Sequence, residues 1–183
     1  MRTFVAVDAS SVAIASLQRK IMSEEGWNSR DIKPIEAQNL HFTLIFLGEK
    51  SDEDIGRIRS KLAEIRFEPF ALTYTGIGAF PKPSAARVVW LGVDQNGIQS
   101  LLTLASDVAA KMAELRFQID WPFSPHMTLF RVRGRPIDIR GIVVRFQNRT
   151  FGPDVVDKMY LKQSTLSPCG PTYSNIYTVE AKK

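Results

Sequence analysis

The sequence has little of what most often announces a chemistry: its 183 residues include one cysteine, Cys169, and two histidines, His41 and His126. A lone cysteine forms no disulfide within the chain, which agrees with a reducing compartment. Its setting, Ser167-Pro168-Cys169-Gly170-Pro171, reads as a turn. No stretch approaches the ~18 uninterrupted apolar residues of a membrane span, and Met1-Arg2-Thr3-Phe4 runs straight into a strand-like pattern instead of the apolar region of a signal peptide. No membrane association and a cytoplasmic setting are therefore expected. Also missing are a Gly-x-Ser-x-Gly elbow, a His-x-x-x-His pair, a cysteine pair and any low-complexity tract.

What is present is an ordinary globular composition, 44% hydrophobic, of a length that fits one domain or two small lobes sharing a core. Twenty-four Lys and Arg against nineteen Asp and Glu leave a formal charge of +5, which favours polyanions without naming one. Four of the arginines, Arg131, Arg133, Arg135 and Arg140, follow closely on His126, and the first three share one face at strand spacing.

Thr3 to Ala9 reads as a strand. A helix follows, capped by Ser10 or Ser11 and carrying the apolar stripe Val12, Ile14, Leu17 and Ile21. A short strand over 31–35 and a stronger one over 40–47 lead to a second helix. Ser51 is its N-cap, Asp52, Glu53 and Asp54 suit its positive end, and Ile55, Ile58, Leu62 and Ile65 face inward. Strands over 70–80 and 87–93 flank the turn Pro81-Lys82-Pro83-Ser84. Residues 98–115, with Leu101, Leu102, Ala105, Val108 and Met112, form the clearest helix. Residues 126–133 are a strand entered through Pro122 and Pro125, 137–147 fit helix or strand, and 155–164 and 174–180 read as closing strands. Bunched strands with separate helices favour α+β with antiparallel sheets over a doubly wound parallel sheet.

Both histidines open the same tetrapeptide, His41-Phe42-Thr43-Leu44 and His126-Met127-Thr128-Leu129, each after a helix and a connection. On a strand, His41 projects with Thr43 and His126 with Thr128, while Phe42, Leu44, Met127 and Leu129 face the other side. Two such rows across a cleft supply what metal-free phosphodiester hydrolysis needs. One imidazole takes a proton from the nucleophile and the other gives one to the leaving oxygen, and histidine titrates near neutrality unaided. The threonine hydroxyls suit non-bridging phosphoryl oxygens, and Arg131 is the candidate cation for the charge that builds there. Its odd offset from Thr128 requires a bend or bulge. The rival readings are two structural histidines, which leaves the repeat without a reason, and a zinc site, for which three or four His, Cys or carboxylate ligands would have to gather. Phe80, where the strand over 70–80 meets its loop-like turn, and Tyr173, in a segment that reads as a loop, are candidates for stacking on a base.

These residues resemble the RNA 2′,3′-cyclic phosphodiesterases, or 2′-5′ RNA ligase-like proteins, of the two-histidine phosphoesterase superfamily. The likeness runs over nearly the whole chain, through Met1 to Asp8, Asn39 to Leu44, Phe46 to Glu49, Gly76 to Pro81, Arg87 to Trp90, Pro125 to Val132, and the closing Ser164 to Pro168 and Gly170 to Tyr173. The resemblance implies a bilobal α+β fold with pseudo-two-fold symmetry, two antiparallel sheets about a central cleft, helices outside, and neither metal nor other cofactor. It implies His41 as proton donor, His126 as the base that activates water, and Thr43 and Thr128 as phosphate ligands. The implied reaction opens a 2′,3′-cyclic phosphate at an RNA end to a 2′-phosphate. tRNA fragments, other RNA ends and small cyclic nucleotides are the candidate substrates, and a monomer is expected. A 2′-5′ RNA ligase uses the same groups, and an RNA-binding module without catalysis is the alternative of another class. Where many members carry Lys or Arg after the first motif, this chain has Ile45.

Overall fold

The structure, a computed structural model, describes residues 1–9, 12–117, 123–167 and 170–182. The helix cap expected at Ser10 or Ser11, the strand entry at Pro122, and Cys169 lie outside the described residues.

The chain runs β1 (Arg2–Asp8), α1 (Val12–Glu24), β2 (Ile32–Pro34), β3 (His41–Glu49), α2 (Asp52–Leu62), β4 (Phe70–Phe80) and β5 (Val88–Val93). It continues through α3 (Gln95–Glu114), β6 (Met127–Val132), α4 (Arg140–Phe146), β7 (Thr150–Val156), β8 (Lys158–Ser167) and β9 (Gly170–Glu180). Single 3-10 turns at Ala37–Asn39 and Pro83–Ala85 precede β3 and β5.

The helices form where apolar spacing and caps agree. Ser51 Oγ accepts the Asp54 N–H at α2, and Ile55, Ile58 and Leu62 are buried beneath it. At α3 the Asp94 carboxylate accepts the N–H groups of both Gly97 and Thr73, so one side chain caps the helix and ties it to β4. Gly97 allows the close approach, since a Cβ there would stand 2.7 Å from the Leu72 side chain. Leu104, not Leu102, completes the buried face of α3, and Val12, expected in the stripe of α1, is 86% exposed at its first turn. Of residues 137–147, Arg140–Phe146 resolve as helix, with Ile142 and Phe146, one turn apart, as its buried pair, while Ile137 bridges to Ala86 in antiparallel fashion.

The sheet is antiparallel in every described pairing, in the order β7-β4-β5-β6-β3-β1-β8-β9, with β2 attached to β6. Two sheets were expected; hydrogen bonding links the strands into one. The link between β3 and β6 is narrow, a single register pair between Phe42 and Met127, and beyond it β6 pairs with β2. Alternation in a sequence fixes which face a residue takes but not which strand edges meet. The closing strand expected over 155–164 is two: β7 pairs with β4 and β8 with β1 and β9, with Asp157 between them. One residue thus connects the first strand of the order to the last but one, so the sheet curls until these two approach. Gly152 and Pro153 within β7 hid it from a pattern reading, and its edge position is what tolerates them.

Candidate active site

β3 and β6 meet where the two motifs begin. With Phe42 opposite Met127 in antiparallel register, His41 falls beside Thr128 and Thr43 beside His126. Phe42 and Met127 themselves turn to the other face and are buried, Phe42 stacked 6.3 Å from the ring of Tyr74. The apolar row anchors the strands in the core, and the polar row is left facing the opening between them.

Both strands then bulge at the same place. The β1–β3 register passes from Ala6–Thr43 to Val5–Ile45, skipping Leu44. The β5–β6 register passes from Trp90–Thr128 to Val89–Phe130, skipping Leu129. Each bulge turns two consecutive residues inward, Leu44 with Ile45 and Leu129 with Phe130, all four buried. The next residue, Phe46 on β3 and Arg131 on β6, returns to the side of the threonine. This is the bend that Arg131 required. It also answers the departure at position 45: Ile45 is 2% exposed in the core, so the residue there does not face the cleft.

The histidines are held alike. Nδ1 of His41 lies 2.7 Å from the carbonyl oxygen of Asn39, and Nδ1 of His126 lies 2.7 Å from that of Ser124, each two residues upstream. A carbonyl can only accept, so Nδ1 carries a proton in both rings and Nε2 is left for the cleft. Burial holds the His41 imidazole below its ordinary value of 6.5. The Asn39 carbonyl and the Asp8 carboxylate oppose that shift, whereas Lys162 and Arg131 reinforce it. Burial lowers His126 as well, against the Ser124 carbonyl and with Arg131.

Aromatic rings wall each imidazole. Phe4 and Tyr173 lie 5.2 Å from His41, Tyr173 edge-on, and Phe80 meets His126 edge-on at 4.8 Å with Trp90 at 6.4 Å. Tyr173, expected in a loop, stands on β9, and Phe80, at the turn-side end of the strand expected over 70–80, is the last residue of β4; both pack against the histidines. Phe4 and Trp90 were not foreseen, because strand register, which no local pattern reveals, brings them here. The Trp90 ring needs Gly78 on the neighbouring strand, where a Cβ would come within 2.1 Å of it. Behind His41, in register with it, Asp8 pairs with Lys162 at 2.8 Å, and Lys162 also donates to Asn175 Oδ1 at 2.8 Å. Lys162 is 5% exposed, a buried cation satisfied by a carboxylate and an amide oxygen.

His41, Thr43, His126, Thr128, Arg131 and Tyr173 line one cavity of about 990 Å³; Phe80 touches His126 from outside that lining. Arg133 and Arg135 are exposed but do not line it. Among the described residues no three His, Cys, Asp or Glu side chains gather to hold a metal ion, and no helix is long and apolar enough to cross a membrane.

Residues 7–90 match the model of the LigT-like phosphoesterase family. An Archaeoglobus fulgidus RNA 2′,3′-cyclic phosphodiesterase is 39% identical over 98% of this chain and 100% of its own length. A crystal structure of a Thermus thermophilus protein superposes with a TM-score of 0.77 at 28% identity, over 98% of this chain and 97% of that one. The crystal structure of Escherichia coli LigT complexed with 3′-AMP does so with a TM-score of 0.75 at 26% identity, over 100% and 98%. A likeness that spans both histidine strands at this identity leaves one assignment: the chain belongs to the LigT-like phosphoesterase family.

Proposed function

We propose that this protein hydrolyses RNA ends that carry a 2′,3′-cyclic phosphate, leaving a 2′-phosphate, by proton transfer between two histidines and without a metal ion. The observation that carries this reading is the paired anchoring of the imidazoles: both Nδ1 atoms donate to a carbonyl two residues upstream, and both rings border one cavity with Thr43 and Thr128. The names of the relatives support the substrate class, and the 3′-AMP complex of the Escherichia coli protein supports a nucleotide as ligand.

His126, neutral with its proton on Nδ1, takes a proton at Nε2 from water as the water oxygen bonds to phosphorus. The bond from phosphorus to the 3′-oxygen breaks, and His41, protonated on both nitrogens, gives its Nε2 proton to that oxygen. The hydroxyls of Thr43 and Thr128 donate to the non-bridging oxygens, and the Arg131 guanidinium balances their growing charge. Because register sets each histidine beside the threonine of the other motif, phosphate held by the threonines lies between the two rings. The half-sheets carrying these strands act as two lobes related by a pseudo-two-fold axis through the Phe42–Met127 pair. One chain supplies every group, so a monomer suffices, and tRNA fragments, other RNA ends or small cyclic nucleotides all present the reacting bond.

A nucleoside 2′,3′-cyclic phosphate incubated with the protein in excess chelator tests this, with the product read by phosphorus NMR. Steady formation of the 2′-phosphate is expected. Mainly 3′-phosphate would overturn the roles of the histidines, and turnover that vanishes and returns with one divalent ion would overturn metal independence.

A further inference from the structure

The cavity does not end at the histidines. β2 is attached to β6 where β3 has parted from it, and its middle residue, Lys33, stands directly opposite Arg131. Both side chains line the cavity. Two cations facing each other across an antiparallel pair repel, and an anion bound between or beside them would relieve that repulsion. Arg2 also lines this cavity, and among the described residues Glu36, hydrogen-bonded from Gln38 at 2.8 Å, is the carboxylate that borders it. The charge balance of the wall is therefore positive.

The far side of the cavity makes room for the lysine. Gly170, at the start of β9, has φ +126, a backbone conformation that residues with a side chain rarely adopt, and a Cβ there would stand 2.7 Å from Lys33 Nζ. The ammonium is thus directed across the opening, from the strand beside β6 to the strand that carries Tyr173. Cβ atoms of facing residues on paired strands lie roughly 4.5–5.5 Å apart, and longer side chains can fan out further. With the lysine reaching toward Gly170, the two cations can serve two neighbouring anionic groups.

Resting on the proposed function, we propose that Lys33 and Arg131 together read two consecutive phosphates of an RNA strand: Arg131 serves the reacting cyclic phosphate, and Lys33 binds the phosphodiester that joins the terminal nucleotide to the one before it. Lys33 is then a specificity residue, favouring an oligonucleotide end over a free nucleoside cyclic phosphate. A lysine suits this place because the inner phosphodiester needs a mobile point charge more than the two-pronged geometry of a guanidinium.

The experiment compares kcat/KM for a mononucleoside 2′,3′-cyclic phosphate and for a dinucleotide ending in the same group. A third substrate is the dinucleotide with its internal linkage replaced by an uncharged methylphosphonate. The native protein is expected to prefer the charged dinucleotide by about tenfold, the worth of one charge-assisted contact. Both the methylphosphonate and Lys33→Gln should remove most of that preference, and together they should remove no more than either alone. In Lys33→Gln the dependence of log kcat/KM on log salt for the dinucleotide should be shallower by about 0.7, as for one lost contact to a single strand. Lys33→Arg should restore the preference in part, which a merely structural role for the ammonium at Gly170 would not predict. Turnover of all three substrates with equal efficiency by the native protein, or a preference that survives in Lys33→Gln, would overturn this subsite alone. Absence of turnover on every substrate would overturn the proposed function and the subsite with it.

Discussion

The two histidine strands share a scheme and differ in their surroundings. β3 and β6 have the same tetrapeptide, the same Nδ1 anchor on a carbonyl two residues back, and a bulge that skips the leucine after the threonine. At the first cleft-facing residue after the bulge they part: β3 offers Phe46, 57% exposed and 6.1 Å from Phe4, and β6 offers Arg131. Behind the rings they differ again. His41 has the Asp8–Lys162 ion pair in register with it, whereas His126 is bordered by Phe80 and Trp90. What the strands share is what proton transfer at phosphorus needs twice. What they do not share is what, in the proposed reaction, would hold an asymmetric substrate and give the two imidazoles opposite protonation states.

The shared part is broken most severely at the rings. His41→Ala and His126→Ala should each lower kcat by roughly 10²–10⁴-fold, the usual worth of a positioned acid or base. The double variant should fall only a small factor below either single one, because groups acting in one step are not additive. RNA affinity should barely change, since proton transfer is realised only in the transition state. Near-full turnover in either single variant would remove that ring from the chemistry.

The unshared pair, Phe46 and Arg131, comes next. Arg131→Ala should cost roughly 10²–10³-fold in kcat/KM, as for a lost group stabilising phosphoryl charge, and should weaken the salt dependence of binding. Phe46→Ala, at the matching place on β3, should leave the salt dependence as it was. Equal changes in salt dependence at the two positions would mean that the cleft has no cationic arm.

The smallest effect is expected behind His41. Asp8→Asn removes the carboxylate that helps His41 keep its proton, so His41 would lose it at lower pH. The falling, alkaline limb of activity should move to lower pH while the rising limb, set by His126, stays. The stability of this variant must be followed alongside, because Lys162 loses its counter-ion. An alkaline limb that stays in place would mean that Asp8 does not help His41 keep its proton.

Most of the scheme is legible in the sequence because it is local. Strand periodicity puts His41 with Thr43 and His126 with Thr128 on one face, and the odd offset of Arg131 already demands the bulge that Leu129 provides. Whatever depends on register is not local. Phe4 and Trp90 come to the rings through β1 and β5, Lys33 meets Arg131 through β2, and the inward turn of Ile45 follows from a bulge whose partner strand lies elsewhere in the chain. The same limit hid the continuity of the sheet at Phe42–Met127, and β7 escaped because Gly152 and Pro153 look like strand breakers until the strand is known to be an edge.

The pH dependence of kcat/KM on a nucleoside 2′,3′-cyclic phosphate tests most directly whether two histidines work in opposite states. In the free protein burial lowers both imidazoles below 6.5, so the pair holds one proton most often at a pH below that value. The profile should be a bell with its maximum on the acid side of 6.5. A profile that rises to a plateau with no falling limb, while the protein stays folded, would contradict the account, since one titrating histidine would then suffice.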